Sequence, residues 1–259
     1  MPVFAPGEDP GANFSELLRK VGLAPFAGPG RDGGLDVPHA TTCVALRCMG
    51  GVVLAGDRRA TAGNIISHRS MEKVVQADDH SGVAIAGTAG PAMEMVKLFQ
   101  LQVEHYEKVE GQKLSLEGKA NQLSTFVRSN LPAAMQGLVV VPIFGGYDLG
   151  VRDGRLWDYD VTGGRYEERD FVAIGSGGTH AATVMRVGWR RDLSPDDAVR
   201  LAARALWEAA DADSATGGPD ALRGIYPVVA TITEAGWSRV PDAVLAALYQ
   251  QIAGEVGGR

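Results

Sequence analysis

The apolar positions of this chain change period several times, and the changes mark its elements. Thr41 to Cys48 (TTCVALRC) and Gly51 to Asp57 (GVVLAGD) are β-branched, apolar runs joined through Met49 and Gly50, which predicts an antiparallel hairpin. Val74-Val75 and Val83 to Thr88 (VAIAGT) predict two more strands. At Pro91 the spacing shifts to three and four. Ala92, Met95, Val96, Phe99, Val103 and Tyr106 then share one helical face, and Leu116, Ala120, Leu123, Val127 and Leu131 repeat the pattern in a second helix. Strands resume at Leu138 to Phe144, Arg155 to Asp160 and Phe171 to Ile174, with turns around Asp153-Gly154 and Gly163-Gly164. A helix lies within Thr179 to Arg190. Another starts at Ser194-Pro195-Asp196-Asp197, where Ser194 caps, Pro195 suits the first turn and both aspartates face the positive end of the dipole. Its apolar face is Ala198, Leu201, Ala202, Ala205 and Ala209. Tyr226 to Thr233 and a short strand near Trp237 to Val240 precede a last helix from Asp242. Strands in hairpin-linked runs, alternating with pairs of helices, predict an α+β fold of two stacked antiparallel sheets with helices outside.

Before residue 41 no such period holds. Residues 1–40 contain 7 Gly and 6 Pro, against 27 and 7 in the remainder, so the opening segment is too punctuated to pack its own core. Only Asn13 to Leu23 has helical spacing, through Phe14, Leu17, Leu18 and Val21. The first residues lack both the basic start and the apolar stretch of a secretory signal. The longest uncharged run, Ser129 to Tyr147, is broken by Pro132, Gly137, Pro142 and paired glycines, which argues against a spanning helix. A cytoplasmic protein with no membrane partner is the expectation. The 259 residues, 45% of them hydrophobic, suffice for one large domain or two small ones with a substantial core. Against 31 Asp+Glu stand 25 Lys+Arg, a net charge of −6, which disfavours nucleic acid as the main partner because a phosphate backbone needs a clustered positive field.

Most familiar catalysts are missing. Walker, G-x-S-x-G and H-E-x-x-H patterns do not occur, and Gly175-Ser176-Gly177-Gly178 lacks the final glycine of a dinucleotide loop. His39, His68, His80, His105 and His180 are scattered without ligand spacing, so neither a metal nor a cofactor is expected. Cys43 and Cys48, five residues apart on one strand, point to opposite faces and are expected as reduced, buried thiols. What remains is the junction His39-Ala40-Thr41-Thr42, where the leader meets the first strand. Cleavage before Thr41 would give that residue a hydroxyl nucleophile and an α-amine together, the amine having a reference pKa of about 7.7 to 8.0 that suits a general base. Taken alone, a Thr-Thr pair at a strand start is far more often plain β-propensity.

Six motifs in one order decide between these readings. His39-Ala40-Thr41-Thr42, GGVVLAGDRRATAGN (Gly50 to Asn64), Met71-Glu72-Lys73-Val74, IAGTAG (Ile85 to Gly90), GSGG (Gly175 to Gly178) and DADSATGGPD (Asp211 to Asp220) together resemble the catalytic β subunits of the 20S proteasome, in wording closest to the actinobacterial type. The resemblance implies a four-layer αββα sandwich, the N-terminal-nucleophile hydrolase fold, and a threonine endopeptidase. It divides the chain into a propeptide, residues 1–40, removed by self-cleavage between Ala40 and Thr41, and a catalytic domain, residues 41–259. Ala40 stands where the family usually has glycine, which implies slower processing, since a Cβ restricts positive-φ turns.

By the same resemblance, Thr41 is the nucleophile, Lys73 and Asp57 are its buried charged neighbours, and Ser176, Asp213 and Thr216 orient the terminal amine. Gly87 supplies the oxyanion N–H, and Thr61 and Ala89 hold the peptide as an added strand. The positions matching the primary specificity pocket are Ala60, Met71, Val75, Ile85, Ala89 and Met93, uncharged and mostly apolar, which implies cleavage after large apolar residues. Implied partners are other β subunits in two inner seven-membered rings, flanking rings of α subunits (α7β7β7α7), a regulatory ATPase ring acting through the α ring, and unfolded protein substrates, some tagged by a ubiquitin-like protein. A structural ring subunit without catalysis, another N-terminal-threonine amidohydrolase and the simpler two-ring bacterial protease are the alternatives. Retention of Thr41, Asp57 and Lys73 disfavours the first, and the long leader with DADSATGGPD disfavours the others.

Overall fold

A computed structural model describes residues 41–257. The propeptide expected at residues 1–40, the amphipathic stretch Asn13 to Leu23 and the Ala40 side of the cleavage junction lie outside the described residues. Two five-stranded antiparallel sheets carry the fold. The first has the order β10 (Phe171–Gly175), β1 (Thr42–Cys48), β2 (Gly51–Gly56), β11 (Val228–Thr233), β12 (Gly236–Arg239). The second runs β5 (Val74–Asp78), β6 (Ser81–Gly87), β7 (Val140–Asp148), β8 (Asp153–Tyr159), β9 (Arg165–Glu168). A small hairpin, β3 (Ala60–Ala62) with β4 (Ile65–His68), stands apart.

Alternation along the strands builds the layers. In β1, Val44, Leu46 and Cys48 face helices, whereas Cys43 and Ala45 face the other sheet; β2 divides likewise into Val53 and Ala55 against Val52 and Leu54. Helices α4 (Gly178–Gly188), α5 (Pro195–Ala212) and α6 (Asp242–Gly257) cover the first sheet, α5 through a fully buried face of Ala198, Ala202, Ala205 and Ala209 that lets it approach closely. Helices α1 (Ala89–Glu110) and α2 (Leu116–Ser129) cover the second, over Val83, Ile85, Phe144 and Trp157. The result is the four-layer αββα sandwich, each fully buried large aliphatic or aromatic side chain contributing about 1.5–3 kcal/mol. Ser194 caps α5, its hydroxyl accepting the Asp197 N–H at 3.1 Å, with Pro195 in the first turn.

Where strand boundaries differ from expectation, glycines and polar residues are the cause. β7 continues through Gly145-Gly146 to Asp148, paired with β6 and β8, and glycine is needed there because a Cβ at Gly145 would stand 2.7 Å from the Leu156 side chain and one at Gly146 2.5 Å from the His80 carbonyl. Those glycines serve close packing inside a strand. The turn falls at residues 149–152 and Asp153-Gly154 opens β8 instead; the Asp148 carboxylate accepts the Gly150 and Val151 N–H groups and fixes that turn. Strands β3, β4 and β9 and the one-turn helix α3 (Leu131–Ala134) are short or mostly polar and leave no apolar period. Both cysteines are free and buried on opposite faces of β1. No described helix is long and apolar enough to cross a membrane.

Candidate active site

Four segments meet at the start of β1. The first is β1 itself, whose opening residues are pinned at each backbone group. Thr41 is buried, and its carbonyl accepts the Ser176 N–H at 3.0 Å. The Thr42 N–H donates to Asp57 Oδ1 at 2.8 Å, and the Thr42 carbonyl accepts the Asp57 N–H at 3.1 Å. Asp57 follows directly from the end of β2, which the β1 register sets opposite the first residues of β1.

The second segment is the approach to β5, which carries Lys73. Its ammonium donates to Asp57 Oδ1 at 2.7 Å and to the Arg59 carbonyl at 2.5 Å, with side-chain exposures of 1% for Lys73 and 0% for Asp57. One carboxylate oxygen thus receives both the amide after Thr41 and the lysine, which places Lys73 beside the Thr41–Thr42 peptide. The other oxygen accepts the Arg59 and Gly217 N–H groups, each at 2.8 Å. Burying two charges is costly unless each is paired and further hydrogen bonded, and both conditions hold here.

The third segment is the turn from β10 into α4, Gly175 to Gly178. Gly175 has φ +94°, and a Cβ there would stand 1.7 Å from the Thr41 carbonyl oxygen, so only glycine lets the turn lie against the first residue. The fourth is the end of α5. Asp213 is its C-cap, and the following turn closes with the Thr216 N–H on the Asp213 carbonyl at 3.1 Å. Asp213 Oδ2 accepts the Ser176 and Thr216 hydroxyls, both at 2.6 Å, and Oδ1 accepts the Ala215 N–H at 3.1 Å. Partial burial pushes the Asp213 carboxyl up, but these hydrogen bonds outweigh it and hold the group below its ordinary value.

Gly87 lies at the end of β6 with φ +118°, half-buried; a Cβ there would meet the Val139 carbonyl at 2.1 Å. A contact from the Cys43 thiol to the Ile85 carbonyl at 3.5 Å ties this end of β6 to the start of β1 across the inter-sheet core. Burial pushes that thiol up to about 12, the nearby Lys73 opposing and Asp57 adding to the shift, so Cys43 is a packing group here.

The residues matching the specificity pocket divide by accessibility. Ala60 and Thr61 are buried in β3, and Ile85 is packed against α1 and α2. Met71 before β5, Val75 in β5, and Ala89 and Met93 in the first turns of α1 keep partial exposure, Val75 packing against the same helix-facing cluster as Ile85. Sequence reasoning missed Thr42, Arg59, Gly177 and Gly217, three of which act through main-chain groups that no side-chain pattern reveals. Among the described residues no cluster of His, Cys, Asp and Glu has the makings of a metal site.

The family model described as proteasome subunit matches residues 37–222. A protein of Acidimicrobium ferrooxidans named proteasome subunit beta is 57% identical over 247 residues, covering 95% of this chain and 90% of its own. A second of that name, from Streptomyces griseus subsp. griseus, is 58% identical over 214 residues, covering 83% of this chain and 76% of its own. With this similarity running through all four site segments, the chain belongs to the proteasome subunit family, as a β-type subunit of the actinobacterial kind.

Proposed function

We propose that this β-type subunit, a threonine peptidase of the 20S core, works through Thr41 once the peptide bond after Ala40 is cleaved and residues 1–40 are released. The observation that carries the reading is the shared Asp57 oxygen, which sets a buried ammonium beside the Thr41–Thr42 peptide. The Thr41 hydroxyl attacks the scissile carbonyl carbon while its proton passes to the α-amine. The C–N bond then breaks, the amine returns the proton to the departing N-terminus, and an ester joins Thr41 to the acyl fragment. Water hydrolyses the ester with the amine again as base. Lys73 favours the deprotonated hydroxyl and amine by its positive charge, and Asp57 fixes Lys73. Ser176, Asp213 and Thr216 orient the amine, and the Gly87 N–H receives the developing oxyanion.

Thr61 and Ala89 flank an extended substrate, and Ala60, Met71, Val75, Ile85 and Met93 favour a large apolar residue before the cleaved bond. A β-type subunit assembles with α subunits in a core particle. Delivery of unfolded, tagged chains by an ATPase ring in the cytoplasm completes the proposal; enclosure makes a broad-specificity nucleophile safe. The test is hydrolysis of a fluorogenic apolar peptide by particles assembled with the α subunit. Wild type should cleave it and show a mature N-terminus at Thr41 by mass spectrometry. Hydrolysis surviving in Thr41→Ala, or an active particle retaining residues 1–40, would overturn the mechanism.

A further inference from the structure

We infer that Thr42, the residue after the nucleophile, is a positioning residue for the reaction, its hydroxyl standing in a one-way hydrogen-bond chain that fixes Thr41 and ends on Asp213, the carboxylate to which Ser176 also donates. The inference rests on Thr41 being the nucleophile. Proton counting gives the direction. The Asp213 carboxylate has no proton, so Ser176 and Thr216, both 2.6 Å from Oδ2, must each donate to it. Each hydroxyl has one proton. Thr216 has therefore spent its own, and its contact of 2.6 Å with Thr42 Oγ1 requires Thr42 to donate. Thr42 Oγ1 in turn accepts the Gly177 N–H at 3.0 Å. The chain runs from Gly177 N–H through Thr42 and Thr216 to Asp213, where it meets Ser176 arriving from the other side.

Two consequences bear on catalysis. Thr42 is held at its N–H and carbonyl by Asp57 and at its hydroxyl by Thr216 and Gly177, so its backbone is located by both halves of the site at once. Thr41, one peptide earlier, inherits that location. Ser176, with its single proton committed to Asp213, presents only lone pairs to any further partner. Toward a free amine at Thr41, as proposed above, Ser176 could therefore act only as an acceptor, which would leave the nitrogen lone pair for the hydroxyl proton. Gly177 is part of the same device for a steric reason, since a Cβ there would stand 2.6 Å from both Thr42 Oγ1 and Thr216 Oγ1.

Thr42→Val keeps the shape and removes the hydroxyl, Thr42→Ser keeps the hydroxyl, and Gly177→Ala wedges the two oxygens apart. Each is assembled with the α subunit, checked for particle size, and assayed on a fluorogenic apolar peptide beside Thr41→Ala. Thr42→Val should lose roughly tenfold in kcat with KM within about twofold, as for an interaction that matters in the transition state and not in binding. Gly177→Ala should fall similarly, and Thr42→Ser should remain within about threefold of wild type. Wild-type kcat in Thr42→Val, or a loss in Thr42→Ser as large as in Thr42→Val, would overturn the inference. Should Thr42→Val not assemble, Gly177→Ala at wild-type kcat overturns it, and a reduced kcat beside an active Thr42→Ser supports it. Activity in Thr41→Ala is a separate failure, of the nucleophile assignment itself.

Discussion

The two carboxylates of the site hold charge in opposite ways. Asp57 is sealed in the core, with Lys73 and three main-chain N–H groups around its two oxygens. Asp213 sits at the edge of a helix end, held by two rotatable hydroxyls and one amide, and Ser176 beside it is exposed. In the first arrangement no water stands ready to replace a lost partner; in the second water has access. Charge placed in the core is therefore a fixed field tied to the fold, whereas charge at the edge can exchange its partners with water.

The comparison breaks most visibly at Lys73. Lys73→Ala strands the Asp57 carboxylate in the core, so the subunit should lose about 3–5 kcal/mol in denaturant titration together with all peptide hydrolysis. A variant as stable as wild type would show that the core pair does not behave as a buried ion pair. Asp213→Asn probes the edge. It should assemble normally and lose kcat by roughly tenfold, because the amide reverses one hydrogen-bond direction.

Its pH signature follows from sign. Partial burial raises the Asp213 carboxyl, and the Ser176, Thr216 and Ala215 bonds more than offset this, so the folded value lies below the ordinary 3.8. The stability it contributes is complete above that ordinary value and is lost as pH falls through the lowered one. Acid titration of Asp213→Asn should accordingly lack part of the wild-type loss below about pH 4.

The smallest effect is expected at the thiols, which sharpen the contrast by burying no charge. Burial pushes Cys43 up to about 12 and Cys48 to about 11, with Asp153 adding to the latter shift. Iodoacetamide at neutral pH should leave both unmodified in the folded protein and label both after denaturation. Raised values also mean that the unfolded thiols ionise first, near 9.0, so their effect on stability is absent below that pH and turns unfavourable as pH climbs toward 11 and 12. Native labelling at the rate of the denatured chain would contradict this.

Legibility in the sequence followed the same division between side chains and main chain. The layers were readable because β1 and β2 alternate cleanly, with Val44 and Leu46 on one face and Cys43 and Ala45 on the other. The Arg165–Glu168 strand was not readable, since its residues are polar and none is buried, and only its pairing with β8 defines it. The β7 strand was expected to end at Phe144 because Gly145 and Gly146 carry no apolar side chain to continue its pattern, whereas their place in the strand rests on close packing. The residues proposed for the site, Thr41, Asp57, Lys73, Ser176, Asp213 and Thr216, come from ordered motifs, and the fold gathers them at one end of β1. The hydrogen bonds made by Arg59, Gly177 and Gly217 use main-chain N–H and carbonyl groups, which every residue has, so the partners they meet could not be read from residue type.

The clamp on Thr41 has a further consequence for maturation. Its carbonyl is held by Ser176, and the peptide that follows is held by Asp57, so everything on the carboxyl side of the residue is immobilised by bonds that do not involve its nitrogen. In the maturation proposed above, cutting the bond before Thr41 would change the chemistry of its nitrogen and leave these carboxyl-side bonds in place. On that proposal maturation would be an unmasking, in which a residue already held on its carboxyl side starts to work once the block on its nitrogen is removed.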